Sequence, residues 1–475
     1  MNKYHWIAGV LFLLAALCST GHHQGDEHFQ ILEFAAYKLG RAEATDLTWE
    51  FHARMRPSLQ PALAYAVSRL LGVVGADDPF FVAGVLRGLS AAATLLLLTV
   101  LHRRIRPAIS ADLWRGFSLF LFFHWCLYYT GVRFSSETWG GLCAIGGLLA
   151  YPLPPPGDGS FTPAGRGNAW LAGALFGLAF LFRYQMAVFV AGWFLWWIIL
   201  YRREIIYLLR AVAAGLLVLA LAYPLTFWLY DEWTLPAWNY LTANLIEGRA
   251  AAYGTLPVWA YLELVVLRGI PPLGIAYAAG TLYFLYRFRR DPLAWCVGTF
   301  VLVHSLLGRK DIRFLYPLIP LLPVMLTATW QQLRRSIDLP RVSRGLSYVC
   351  VALNCGLLAT VTLRPAASEI APLRFVYRSY PGPATLCGPQ AGFLQAEGAT
   401  PRFYLRAGHR IAQACTTVSG EPVLYMARTR VPAELPNFGK LVFTDRPDWL
   451  LPYLPFGLLQ REKWYYVYEL PPDGG

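Results

Sequence analysis

Charge is scarce in this chain. Asp, Glu, Lys and Arg make up 15% of its 475 residues, against about 25% in a typical soluble domain. Acids are the scarcer sign: 28, against 41 Lys and Arg, for a formal charge of +13. The eight cysteines include no CxxC pair, so a zinc or redox centre has little support. No internal repeat and no low-complexity linker stands out. What fills the space is apolar and aromatic: 56% hydrophobic residues, with 17 Trp, 27 Tyr and 28 Phe, and a mean hydropathy of +0.41. This argues against a soluble enzyme, a disordered scaffold and a nucleic-acid-binding domain. The basic residues do not form one patch for a polyanion. They sit in short clusters between apolar runs, as in the cytoplasmic loops of membrane proteins.

A bilayer core takes about 20 mainly apolar residues per helix, and about eleven stretches answer to that. They lie near 5–20, 80–101, 115–132, 138–152, 169–183, 186–201, 210–229, 269–286, 293–308, 315–331 and 346–363. The first resembles a signal peptide, with Lys3 before a brief apolar core. No A-x-A site follows and many spans do, so it reads as a retained anchor. The basic clusters are at 102–106, Arg166, Arg202-Arg203, 287–290 and 334–344. Placed inside, they put the N-terminus inside as well. The loops 21–79, 133–137, around Arg183, 230–268 and 309–314, and the tail, then face outward. The Pro/Gly-rich stretch 152–167 reads as a mobile cytoplasmic loop.

The tail differs. PVLYMAR, KLVFTD and KWYYVYEL are short alternating runs that predict strands of a small α/β domain. The expected division is 1–363 for a transmembrane catalytic domain and 364–475 for an extracytoplasmic one. If the tail lies outside the cytoplasm, Cys387 and Cys415 can form a disulfide.

The unusual polar residues fall in the outer loops. Asp26 and Glu27 directly follow the first span. Two acids there can simply start a helix, or one can serve as general base toward an acceptor hydroxyl. Glu50 and Arg56 stand in the same loop, ahead of PALAYAVSRLLGVVG, which reads as an amphipathic interfacial helix. Arg133, Arg183 and the run Arg309-Lys310-Asp311-Ile312-Arg313 bring cations to three turns. Each alone can be a snorkelling span end. Together they suit a phosphate at headgroup level. Arg87 lies inside a span and calls for a partner or a cavity. Asn239, Tyr240, Asn244 and Tyr253 with the neighbouring Trp residues suit a sugar, but composition alone favours an aromatic belt.

In order along the chain, GDEHFQ, TWE, RMRPSLQPAL, VRFSSE, LPAWNYLTANL, AYGTLP and RKDIRFLYPLIP resemble the α-mannosyltransferases that use dolichyl-phosphate mannose to build glycosylphosphatidylinositol anchors and asparagine-linked glycan precursors. The glycosylphosphatidylinositol branch looks nearest. The resemblance implies the GT-C fold, with an active site on the lumenal or periplasmic face. It implies inverting transfer of mannose from a polyprenyl phosphate to a glycan or glycolipid acceptor, with no cofactor and no metal. It implies that Asp26 is the general base, with Glu27 beside it. Lys310 and Arg313 would hold the donor phosphate, with Arg309, Arg133 and Arg183. Glu137, Asn239, Asn244 and Tyr253 match sugar- or acceptor-binding segments, and Glu50 and Arg56 belong to that set. This chain departs from the family in having Arg309 for a His, Asp311 for a Glu, Gln24-Gly25 for a His-Pro, and Phe134 for a Thr.

Besides a non-catalytic partner in a membrane assembly, against which Asp26, Lys310 and Arg313 together speak, two alternatives stay open. One is a GT-C transferase of another sugar, such as arabinose, glucose or galacturonic acid. The other is a flippase for lipid-linked sugars, against which the lack of repeats and the outer placement of the polar motifs speak. The implied setting is a bacterial inner membrane with the site facing the periplasm, or the endoplasmic-reticulum membrane facing the lumen in a eukaryote.

Overall fold

The computed structural model describes residues 3–153, 160–163, 167–202, 204–336, 341–388, 400–412, 415, 420–428, 439–445 and 464–471, with backbone alone at 336 and 341–344. Arg166 and Arg203, and the side chains of Arg341 and Arg344, thus lie outside the described residues. The chain forms two compact units. The first holds Met1–Ser19, Met55–Gln60 and Val85–Arg364; the second holds Thr20–Arg54, Pro61–Gly84 and Pro365–Gly475. The C-terminal part of the second unit starts next to the expected boundary at 363/364, and most of the first outer loop belongs to that unit too.

The first unit is α-helical. Among the described residues, four helices are long and apolar enough to cross a membrane: Pro79–Ala108, Ile205–Tyr230, Ile312–Arg335 and Gly345–Leu363. Lys3–Cys18, Ala169–Phe182, Met186–Tyr201 and Pro292–Leu306 are apolar but shorter. Among the described residues, fewer helices than the expected eleven or so reach that length. At about 1.5 Å per residue, a 15-residue helix covers about 23 Å of a core about 30 Å thick.

Local breaks explain the shortening. The run 115–132 divides into Trp114–Phe123 and Trp125–Gly131, because His124 is extended at φ −73° and ψ 122°. The Asn354 side chain repairs the break, accepting from Trp125 N at 3.1 Å and donating to Phe123 O at 2.9 Å. In an apolar medium such freed backbone groups must find a partner. Pro317 and Pro320 tighten Ile312–Leu321 into a 3₁₀ helix before Leu322–Ser336 resumes α geometry.

Glycine sets the closest helix contact. A Cβ on Gly173 would lie 1.9 Å from Ala211 O, and one on Gly177 would lie 2.9 Å from Gly215 O. Ala169–Phe182 and Ile205–Ala222 thus meet through small residues four apart on each helix, which lets their backbones touch.

The loop read as mobile is pinned at one end. The Asp291 carboxylate is fully buried. It accepts from Ser160 Oγ, Phe161 N, Thr162 N, Thr162 Oγ1 and, as helix N-cap, Leu293 N. Ser160–Thr162 is therefore fixed, because a buried carboxylate needs these donors. Residues 154–159 and 164–166 lie outside the description.

Among the described residues of the second unit five strands form one sheet: β1 (Ala384–Cys387), β2 (His409–Ile411), β3 (Val423–Ala427), β4 (Lys440–Thr444) and β5 (Tyr466–Leu470), in the order β2-β1-β3-β5-β4. β1 pairs in parallel with β2 and β3; β5 pairs antiparallel with β3 and β4. The three predicted runs become β3, β4 and β5. Val423, Tyr425 and Ala427 pack with Tyr466 and Tyr468, and Leu424, Met426 and Val467 between them are buried too. The helix Ile370–Ser379 buries Ile370, Leu373 and Val376 and stacks Phe375 on Phe443 at 5.0 Å. Cys387 and Cys415 are joined as a disulfide.

Candidate active site

In the first unit the cations gather at one turn. The extended segment after Leu306 is tied to the 253–256 loop: Leu256 N donates to Gly308 O at 3.0 Å, and Lys310 Nζ donates to Leu256 O at 2.8 Å and Leu307 O at 2.6 Å. Arg309 Nη1 donates to Tyr253 O. Gly254 permits this approach at φ +93°, where a side chain would be strained. Asp311 caps the next helix through Arg313 N and pairs with Arg313 Nε at 3.2 Å. The Arg313 and Arg183 guanidinium groups both lie 5.5 Å from the Phe314 ring centroid.

Arg183 follows the helix Ala169–Phe182 in extended conformation, so it leaves the helix axis. Its Nη1 lies 2.7 Å from Glu137 Oε1, with both side chains about 5% exposed, and donates to Ser136 Oγ at 3.0 Å. Its buried Nε meets no acceptor among the described residues. The structure thus brings Arg309, Lys310, Arg313, Arg183, Glu137 and Tyr253 into one contact network.

Arg133 and Arg87 bond instead to the end of the first helix. Arg133 Nη1 donates to Ser19 O at 2.8 Å and Ser19 Oγ at 3.1 Å; Arg87 Nε donates to Ala16 O at 2.7 Å. Both cap carbonyls at the end of Lys3–Cys18, which such helix ends leave without partners. The partner that Arg87 required is this carbonyl.

Arg56 belongs to a third group. Its N–H donates to Tyr230 Oη and its carbonyl accepts from it, at 3.1 and 2.8 Å. Its guanidinium lies over Tyr240, whose hydroxyl accepts from Gln185 Nε2 at 2.5 Å. Asn239 and Asn244 make local turn bonds, to Thr234 Oγ1 and Tyr240 O. Tyr240 stood in the sugar-suited loop but was not picked as a site residue, and Gln185, two residues after Arg183 in the same turn, was missed.

In the second unit Asp26 and Glu27 occupy the first turn of a continuous helix: Gly25–Glu27, then a π turn over His28–Leu32, then Glu33–Lys38. Asp26 is half-buried and Glu27 buried. Glu50 accepts from Gln30 Nε2 at 2.5 Å. Sequence reasoning missed Glu33 altogether. It is fully buried and lies 2.6 Å from His28 Nε2. No group of three or more His, Cys, Asp or Glu suited to a metal ion occurs among the described residues.

Known proteins agree with this architecture. The chain superposes on the solved structure of ArnT from Cupriavidus metallidurans bound to undecaprenyl phosphate with a TM-score of 0.53, at 13% identity, covering 98% of this chain and 97% of that one. This likeness shows the fold: a GT-C-like polytopic membrane protein with a C-terminal β-strand region. Curated relatives include GPI mannosyltransferase 3 of Yarrowia lipolytica, 29% identical over 67% of this chain and 61% of that one. Another is GPI alpha-1,2-mannosyltransferase 3 of Xenopus laevis, 23% identical over 65% and 56%. The chain thus matches about six-tenths of the length of these relatives. The profile of the Alg9-like mannosyltransferase family matches residues 5–370, more than three-quarters of the sequence, and this chain belongs to that family of glycosyltransferases.

Proposed function

We propose that the protein transfers mannose from a polyprenyl-phosphate mannose to the hydroxyl of a glycan or glycolipid acceptor, with inversion, on the extracytoplasmic side of its membrane. The observation that carries this reading is the cation network at 309–313. Such a network suits the phosphate of a lipid-borne donor. Arg183 supports it further, because a buried Nε without an acceptor is costly unless a ligand fills the need. A GT-C neighbour, ArnT, has undecaprenyl phosphate bound. The disulfide in the second unit favours an oxidising compartment for that unit.

In the proposed chemistry the acceptor oxygen attacks C1 of the mannose. The C1–O bond to phosphate breaks on the opposite face, and polyprenyl phosphate leaves as an anion. Lys310, Arg313, Arg309 and Arg183 stabilise the charge that develops there. Asp26 takes the acceptor proton, with Glu27 beside it. The scheme parallels an inverting glycosidase, except that phosphate leaves without an acid to protonate it. Glu50, Arg56, Glu137, Asn239, Asn244 and Tyr253 shape the sugar and acceptor sites. No cofactor is required by this scheme.

The test uses membranes of a strain lacking the protein, which contain the natural acceptor. Adding the purified protein and polyprenyl-phosphate [³H]mannose should label a lipid-linked glycan or glycolipid. No label from the mannosyl donor, with label from the arabinosyl, glucosyl or galacturonosyl analogue, would replace mannose by that sugar. Movement of the donor lipid across vesicles without transfer would favour the flippase.

A further inference from the structure

Neighbours on an α-helix stand three or four residues apart. His28 and Glu33 are five apart, yet His28 Nε2 lies 2.6 Å from Glu33 Oε1. The π turn makes this possible: Glu33 N donates to His28 O, the i→i+5 pattern that brings residues five apart onto one face. The turn begins directly after Asp26 and Glu27 and is the only helical link between those acids and Glu33.

The other partners of Glu33 come from the tail. Its carboxylate accepts from Arg402 N at 2.8 Å and from Phe403 N at 3.1 Å. His28 stacks on Tyr404 at 5.4 Å with a 7° interplanar angle, and Tyr404 stacks on Phe80 at 4.8 Å. Arg402 also pairs with Asp46 at 3.2 Å, and Thr400 N donates to Asp46 O at 2.8 Å. Three tail residues, Arg402, Phe403 and Tyr404, thus meet the helix that bears the acid pair, and Thr400 and Arg402 meet Asp46. These tail residues lie beyond residue 370, where the family profile ends.

We propose that Arg402, Phe403 and Tyr404 form a positioning element for Asp26 and Glu27, acting through Glu33 and His28. The proposal rests on the reading of Asp26 as general base. The β-sheet region of the tail then anchors this element. It also gives the π turn a purpose: an ordinary α turn would send His28 and Glu33 to different faces and release the acids from the tail. Misplacing a catalytic group by about 1 Å can cost about 100-fold in rate, so the contact bears on kcat while leaving the donor phosphate site alone.

The experiment measures mannosyl transfer with the full-length protein, membranes of the deletion strain and polyprenyl-phosphate [³H]mannose. The variants are Tyr404→Ala, Tyr404→Phe and Glu33→Gln. Amide hydrogen exchange at 25–33 is followed on the same folded samples. Tyr404→Ala and Glu33→Gln should lower kcat by about 10- to 100-fold with the donor KM unchanged. They should speed exchange at 25–33, while Tyr404→Phe, which keeps the ring, behaves as wild type. A merely structural role would lower the amount of active protein and leave exchange at 25–33 in the folded fraction as in wild type; that result overturns the proposal. So does wild-type kcat in Tyr404→Ala or Glu33→Gln. Failure of both to fold also overturns it, because the tail contact is then part of the fold's core. The base assignment is judged separately by Asp26→Asn: full transfer by that variant sinks the reading of Asp26, whereas faster exchange at 25–33 in Tyr404→Ala still registers the mechanical link.

Discussion

Arg183 Nη1 and Glu137 Oε1 meet at 2.7 Å with both side chains almost wholly buried. Removing one partner of such a pair leaves an uncompensated charge, at a cost of about 3–5 kcal/mol, whereas replacing both by apolar residues is often nearly neutral. Glu137→Ala should therefore lower the thermal midpoint in detergent more than the double variant Glu137→Met/Arg183→Met. The double variant should still lose donor affinity. A double variant no more stable than the single one would refute the pairing argument.

Asp291 accepts five hydrogen bonds although in sequence it only follows the basic cluster 287–290, outside every motif. Each buried donor left unmet costs about 1–3 kcal/mol. Asp291→Ala should destabilise the protein by several times the effect of an exposed acid such as Asp77→Ala. Equal melting of the two variants would contradict this.

Gly173 leaves no room for a side chain against Ala211. Gly173→Val should separate Ala169–Phe182 from Ile205–Ala222 and abolish folding or sharply reduce yield. Gly248→Ala, where nothing lies nearby although φ is +69°, should cost only about 1 kcal/mol. Comparable yields would show that the helices do not meet through their glycines.

His409 is fully buried in the second unit. Its Nε2 faces Tyr380 O at 2.9 Å and its Nδ1 faces Arg406 N at 3.4 Å, which fits a neutral ring donating through Nε2. Burial first, and the Arg406 charge after the opposing hydrogen bond, hold its pKa below the ordinary value. The unfolded chain therefore binds a proton at higher pH than the folded one does. Stability from this group is present above about pH 6.5 and falls as pH drops below it. His409→Gln should flatten that acid-side loss in a pH series of melting curves; an unchanged slope would assign the loss to other groups.

Much of the fold was readable because its signals are local. Apolar runs marked the helices, and alternation in PVLYMAR, KLVFTD and KWYYVYEL marked β3, β4 and β5. The lengths of the helices were not readable. The apolar run 115–132 continues unbroken through His124, and only Asn354, far along the chain, supports the break. The basic turn at 309–313, Arg183 and Arg133 were recognisable as cations suited to a phosphate; the first two share a network, whereas Arg133 donates to Ser19. Glu137, picked for its motif, turned out to be the partner of Arg183. Glu33 could not be found from spacing, because a π turn pairs residues that α periodicity keeps apart. Ser160–Thr162 looked mobile by composition, since nothing local announces Asp291.

The central claim is that Asp26 removes the acceptor proton while Lys310 and Arg313 bind the donor phosphate. The direct measurement compares Asp26→Asn with Lys310→Met in two assays: transfer from polyprenyl-phosphate [³H]mannose, and equilibrium binding of that donor. Asp26→Asn should lose about 100- to 10,000-fold in transfer and bind donor as wild type does, while Lys310→Met should lose donor binding. Wild-type transfer by Asp26→Asn, or undiminished donor binding by Lys310→Met, would contradict the account.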